Sequence, residues 1–442
     1  MTRTVLLCAT VALLPLLVPK GPGNTAPVDA FAMLFIAVAL VAVAHRREPF
    51  RAPAALALLA VFVPTGIATM VSLSPGTSLV SLIVEIYLVL LMWLAATTMA
   101  NRPAAFRAVL VTWAVASAGW ALLMIATHYQ VLPRGLLDLL VAHSSSSRVS
   151  GTAKNPNLAA SYLVTSFFVV LVAPLPFRRL ARWAVGALIL WAVLLTESNG
   201  ALLAAVVGML VVASAVPVRR VAPRARVAVA AAGVLLVAVV VGAAAVTVAV
   251  PAQDTTTVNE IVQIGERGNA GPLSANAERL DKGISARVAI WTAAWSGGVR
   301  NAAFGVGPGA GQKVDVGGSD LNKGLHNDYL AFFLERGVLG LVAFLFFLCV
   351  LLWWCIPLLL SERVNAAAGV LGRTGSFAGL AGAVVANAAM PATHESFHFR
   401  HLWLLIALVW AARYFLSEAS PGRQAPHRAA VARREEQADA LV

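Results

Sequence analysis

Residues 337–360 read GVLGLVAFLFFLCVLLWWCIPLLL, 24 residues without a single charge. A helix needs about 20 consecutive apolar residues to cross the hydrocarbon core of a bilayer. This run is long enough, and it is not alone. Eleven further apolar segments lie at roughly 4–19, 28–44, 53–73, 78–99, 105–127, 157–174, 183–196, 200–217, 227–251, 375–390 and 401–416. The runs are continuous rather than alternating, which predicts helices and not barrel strands. Arg3 ahead of the first run imitates a signal peptide, but no clear A-x-A site follows, so that run is read as a span.

Composition agrees. The 442 residues are 60% apolar and 12% charged, with a mean hydropathy of +0.81. Soluble domains carry about 25% charged residues, so a soluble enzyme is excluded. The net charge of +13 does not imply nucleic acid, because the bases sit between apolar runs. Cys8, Cys349 and Cys355 all fall inside such runs, with no C-x-x-C spacing, so neither a disulfide frame nor a cysteine metal site is expected.

Charge sets the expected orientation. With the N-terminus cytoplasmic, the inner loops hold fourteen arginines, from Arg46, Arg47 and Arg51 through to Arg363 and Arg373. The short outer loops hold only Lys20 and Arg400. Cytoplasmic loops are enriched in Arg and Lys, so both termini are expected inside the plasma membrane. The expected layout is spans 1–9 over 1–251, a large extracytoplasmic loop over 252–336, spans 10–12 over 337–416, and a disordered tail over 417–442. All five lysines then lie outside, where a cation can meet an anionic ligand.

The outer segments carry the chemistry. Arg148-Val149-Ser150-Gly151-Thr152-Ala153-Lys154-Asn155-Pro156-Asn157 leads straight into a span. Asn155 can cap that helix and Pro156 suits its first turn. Free N–H groups at a helix start, with Arg148 and Lys154 near, make an anion site; a plain loop-to-helix cap is the alternative. The turn Thr196-Glu197-Ser198-Asn199-Gly200 joins two spans and reads first as a polar turn. In the long loop, Ile290, Trp291, Ala294 and Trp295 recur at helical spacing, predicting an amphipathic helix lying in the interface, with Arg287 one turn before Trp291. Gly305-Val306-Gly307-Pro308-Gly309-Ala310-Gly311 lacks the Gly-Lys-Ser/Thr of a phosphate loop and reads as a flexible loop. His326, in His326-Asn327-Asp328-Tyr329-Leu330, is a candidate general base at the outer boundary, or merely a polar interfacial residue. His394-Glu395-Ser396-Phe397-His398 matches H-E-x-x-H, but it sits in a short turn after Pro391 with no third ligand in view, so it reads as a chance match.

Together these stretches resemble the O-antigen ligase family, which includes O-antigen polymerases and protein oligosaccharyltransferases. Arg148 to Gly151 with Pro156-Asn157 resembles the family's R-x-x-G…P-N entry. Arg287 with Trp291 resembles its R-x-x-x-W. Phe304 to Gly309 resembles its glycine turn. His326-Asn327 through Leu330 to Gly337 and Gly340 resembles its H-N-x-x-L-x6-G motif, the most specific of the four. One departure stands out: many members have Ser-Arg-Gly where this chain has Ser198-Asn199-Gly200, so either Lys154 or Arg148 takes the place of that cation or the substrate differs.

The resemblance implies an all-α, GT-C-like membrane enzyme of about twelve transmembrane helices. It implies transfer of a glycan from a polyprenyl diphosphate donor to a hydroxyl of a glycolipid, wall polymer or protein, on the outer face of the membrane and in contact with its lipids. In that scheme His326 is the base and Arg287 and Arg148 hold the diphosphate. Lys154, Asn155, Asn199, Trp291 and Asn327 bind substrate, and no metal or cofactor is called for. A repeat-unit polymerase of the same family is the first alternative. A twelve-span transporter follows, for which Glu85 inside the fourth span is the clearest feature, and then a zinc protease built on residues 394–398.

Overall fold

The computed structural model describes residues 1–18, 25–45, 48–131, 148–153, 155–174, 179–220, 290–311, 325–360 and 376–418, and among these it contains helices and no strand. The helices are α1 (Thr2–Ala12), α2 (Pro27–Ala44), α3 (Ala55–Met70), α4 (Pro75–Asn101), α5 (Pro103–His128), α6 (Pro156–Val172), α7 (Arg179–Leu195), α8 (Asn199–Arg220), α9 (Asp328–Leu360), α10 (Ala378–Ala389) and α11 (Arg400–Glu418). Eleven of the twelve expected spans coincide with these helices. The twelfth, 227–251, lies outside the described residues, as do most of the large loop and the tail beyond 418. By length and composition α2, α4, α5 and α9 are each sufficient to cross a membrane. Leu56, Leu79, Leu203, Leu210, Leu339 and Trp353 point outward. An apolar exterior of this kind belongs in lipid, and the chain is a multi-pass membrane protein.

Local sequence explains the helix starts. Pro27, Pro75, Pro103 and Pro156 each occupy the first turn of a helix, where the missing N–H costs nothing. Asn155 caps α6 by accepting from the Asn157 N–H at 2.9 Å.

Packing then selects the neighbours. α10 is almost wholly buried and made of small residues, packed against α6, α8 and α9. A Cβ on Gly208 of α8 would lie 2.6 Å from the Gly382 carbonyl of α10 and 2.5 Å from Phe168 of α6. Small residues let helix backbones approach in this way, and in lipid that contact replaces the hydrophobic drive. Asn387 adds polar glue, donating to Thr165 Oγ1 at 2.9 Å. Buried inside protein, α10 has no need of bilayer length.

The two ends of the bundle differ. At one end Arg3 and Arg102 both donate to Glu48, and Arg51 reaches Tyr414 near the end of α11. The start of α1 and the end of α11 thus share a side. At the opposite end the segments around 148–153, 196–200, 304–311, 325–328 and 391–400 interlock.

Three expectations change. α1 ends at Ala12, well short of residue 19. The last long helix begins nine residues before 337, at Asp328, and breaks at Gly337 (φ 69°, ψ −169°). The glycine-rich stretch is not a loose loop. Its Val306 N–H donates to the Leu334 carbonyl and its Gly307 N–H to the Glu335 carbonyl, while the Leu73 N–H donates to Val306. Gly307 (φ 103°) sits where a Cβ would strike Ser72, so glycine is required by contact, and the stretch wedges the turn between α3 and α4 against the break in α9.

Candidate active site

A cavity of about 590 Å³ opens beside this wedge. Its outer wall is apolar: Met33 of α2 and Val80, Ile83 and Val84 of α4. Met33, Val80 and Ile83 are exposed, so the cavity is open on the side formed by α2 and α4. Its inner wall is polar: Asp328, Glu335 and Arg336 from α9, then Glu395, His398 and Arg400. A slot that runs from apolar to charged within one volume suits an amphiphile.

The inner wall is built by buried pairs. Arg400 grips Asp29 with two nitrogens, Nε at 2.6 Å, and Tyr87 donates to the same carboxylate at 2.9 Å. Glu85 is fully buried and accepts from Arg336 and from His398 Nε2, the latter at 3.1 Å. Arg336 also donates to Thr65 Oγ1 at 3.1 Å and lies over the Phe332 ring at 4.0 Å. A buried charge persists only when paired and hydrogen-bonded, and Arg336 has all of these partners. His398 lies deep in the protein, yet its side chain is 42% accessible because it forms cavity wall. Burial alone would lower its pKa; the bond to and charge of Glu85 outweigh that and raise it.

The loop 393–399 links this wall to the residues expected from sequence. Glu395 Oε1 accepts the His326 N–H at 2.9 Å. Asp328 Oδ2 accepts from the Ser396 N–H and hydroxyl, at 2.7 and 2.8 Å, and from the Phe397 N–H. Asn327 accepts from the Leu330 N–H, as an N-cap does, and donates to the Ala392 carbonyl. His326 itself is held at φ 50°, partly exposed, between two buried neighbours. On the other flank, His394 Nε2 lies 3.4 Å from Ser198 Oγ, and Gly200 packs against Thr393.

The remaining sequence candidates distribute around this loop. Arg148 Nε donates to the Thr196 carbonyl at 2.8 Å and its second nitrogen to Asn157, so it sits on the turn 196–200. Asn199 is exposed at the start of α8. Trp291 is buried and donates to the Leu325 carbonyl at 2.8 Å. A helix is present at 290–300, but its aromatic face packs on protein: the Trp295 ring lies against Phe333, tilted, with centroids 4.9 Å apart. Arg287 and Lys154 lie outside the described residues. Of the described residues among those singled out for catalysis or substrate binding, none lines the cavity, although His326 and Asn327 are chain neighbours of Leu325 and Asp328, which do.

The H-E-x-x-H stretch does not have the geometry of a zinc site. It is not helical, and its two histidines face apart, His394 toward Ser198 and His398 toward Glu85. The described residues contain no cluster of three metal-ligating side chains. Asp29, Asp328, Glu335, Arg336, Arg400 and Tyr87 were missed as site residues. The available signal was charge within or beside apolar runs, which in a membrane protein marks function.

A family model described as O-Antigen ligase matches residues 184–345, from within α7 to within α9. The matched stretch includes the turn 196–200, Trp291, the glycine wedge and the His326 motif. No curated protein matches the chain.

Proposed function

We propose, from the likeness of residues 184–345 to the O-antigen ligase family model, that the chain transfers a glycan from a polyprenyl diphosphate to an acceptor hydroxyl at the outer face of the plasma membrane. The observation that carries this reading is the cavity, whose apolar mouth between α2 and α4 gives way to Arg336, Arg400, His398 and carboxylates. A prenyl chain would enter from lipid past Met33 and Ile83, and the head would reach the charged end. Four carboxylates line that end, Asp29, Asp328, Glu335 and Glu395. They suit sugar hydroxyls, which donate hydrogen bonds, and repel a diphosphate. Cations must therefore offset them. Arg400 is one, and Arg287, Arg148 and Lys154 are assigned the same task by the resemblance. Charge on the leaving diphosphate grows in the transition state, so fixed cations there lower the barrier. The acceptor hydroxyl must also lose a proton; the resemblance implies His326, and His398 is the other histidine of the site.

The test is transfer by purified protein from a polyprenyl diphosphate-linked glycan, with mass spectrometry of lipid-linked glycans in a deletion strain. Long glycans accumulating on the carrier support a ligase, and single repeat units a polymerase. No transfer in vitro and no accumulation in the strain would overturn the reading and favour transport.

A further inference from the structure

Resting on the glycan-transfer reading, we infer that His398, oriented by Glu85, takes the proton from the acceptor hydroxyl, the role that the sequence reading gives to His326. Three observations carry it. First, His398 forms cavity wall and His326 does not. Second, Glu85 is a carboxylate paired with Arg336, so it can only accept. The hydrogen on His398 therefore sits on Nε2, directed at Glu85, and the lone pair sits on Nδ1. Third, Glu85 Oε2 has no partner among the described residues, so the carboxylate's bonds go only to Arg336 and His398. A base whose far nitrogen is fixed by a buried carboxylate keeps its tautomer and gains stability when protonated. Arg336 is a positioning residue, since it acts on the reaction only through Glu85.

The step balances as follows. A lone pair of the acceptor oxygen forms the bond to the anomeric carbon. The bond from that carbon to the diphosphate oxygen breaks, and its electron pair leaves with the polyprenyl diphosphate. The hydroxyl proton passes to His398 Nδ1 and is then released to the leaving diphosphate or to water.

The charges around His398 decide the pH behaviour. Glu85 of α4 and Asp328 of α9 favour its charged form, while Arg336 of α9 opposes it. Asp29 and Tyr87 from α2 and α4, Glu335 of α9, and Glu395 and Arg400 beside it complete the wall. The base works unprotonated, so turnover should rise with pH through a step at or above the ordinary histidine value of about 6.5.

The experiment uses the full chain in lipid nanodiscs with a polyprenyl diphosphate-linked glycan and its acceptor. His398→Gln keeps a donor for Glu85 but cannot take a proton. It should bind donor as wild type does, turn over ~10²-fold or more slowly, and lose the pH step. His398→Ala, in case His398→Gln folds poorly, should regain part of its activity with added imidazole. Wild-type turnover and an unchanged pH profile in His398→Gln overturn the inference alone, as does a folded, inactive His398→Ala that imidazole does not rescue. A wild-type protein that transfers from no such donor instead defeats the glycan-transfer reading itself.

Discussion

Glu85 and Arg336 face each other in the middle of the protein, 0% and 1% exposed at the side chain. At that depth the pair matters more for what its loss exposes than for what its presence adds. Removing one partner of a buried ion pair costs about 3–5 kcal/mol, whereas replacing both with apolar groups is often neutral. Arg336→Leu should therefore sharply lower the unfolding temperature in detergent. The double variant Glu85→Leu with Arg336→Leu should recover most of it while remaining inactive, because His398 has lost its carboxylate. A double variant less stable than Arg336→Leu alone would contradict this account. His398 adds a pH term to stability. Its folded pKa is raised, so the contribution is complete below the unfolded value of about 6.5 and is lost as pH rises through the folded value. Melting temperature against pH should fall across that window in wild type and not in His398→Gln.

The elements are held by glycine where two backbones meet. Gly337 breaks α9 at φ 69°, and a Cβ there would lie 2.6 Å from the Ala302 carbonyl. Both strain and collision oppose any side chain. The break lets residues 328–336 lean over the cavity while 338–360 continue across the bundle. Gly337→Ala should cost at least 1–3 kcal/mol, the usual range for forcing atoms into a packed site, and should reduce transfer because Glu335 and Arg336 shift with the break. Gly208→Val should destabilise the α8–α10 contact by a similar amount while leaving the cavity lining untouched. Thermal unfolding of both variants beside donor binding separates the two: binding should fall for Gly337→Ala and hold for Gly208→Val at temperatures where it is folded.

At the scale of the molecule, the distribution of charge predicts an orientation. One bundle end gathers Arg3, Arg51 and Arg102, and because cytoplasmic loops are enriched in Arg and Lys, this end is expected to face the cytoplasm. In a background with Cys8, Cys349 and Cys355 replaced, Glu197→Cys should react with an impermeant maleimide in intact cells. Glu418→Cys should react only after permeabilisation. The reverse pattern would put the cavity on the wrong side for a donor presented outside.

Hydropathy alone was enough for the class of molecule and for eleven helices, because in lipid every backbone group must be satisfied within a helix, and that demand is written residue by residue in the apolar runs. The Pro156 helix start and its Asn155 cap were legible for the same reason: both are local. The site was legible only as fragments. Nothing in the spacing of residues 85, 336 and 398 says that they meet, since their contact is made by the packing of α4, α9 and the loop before α11. The H-E-x-x-H pattern read as a chance match because it falls in a short turn, and only the packing showed which neighbours its two histidines turn to. The glycine stretch looked flexible because glycine's two uses, freedom and close approach, have the same sequence. Tertiary contact with Ser72 and with the carbonyl of Glu335 decided for the second.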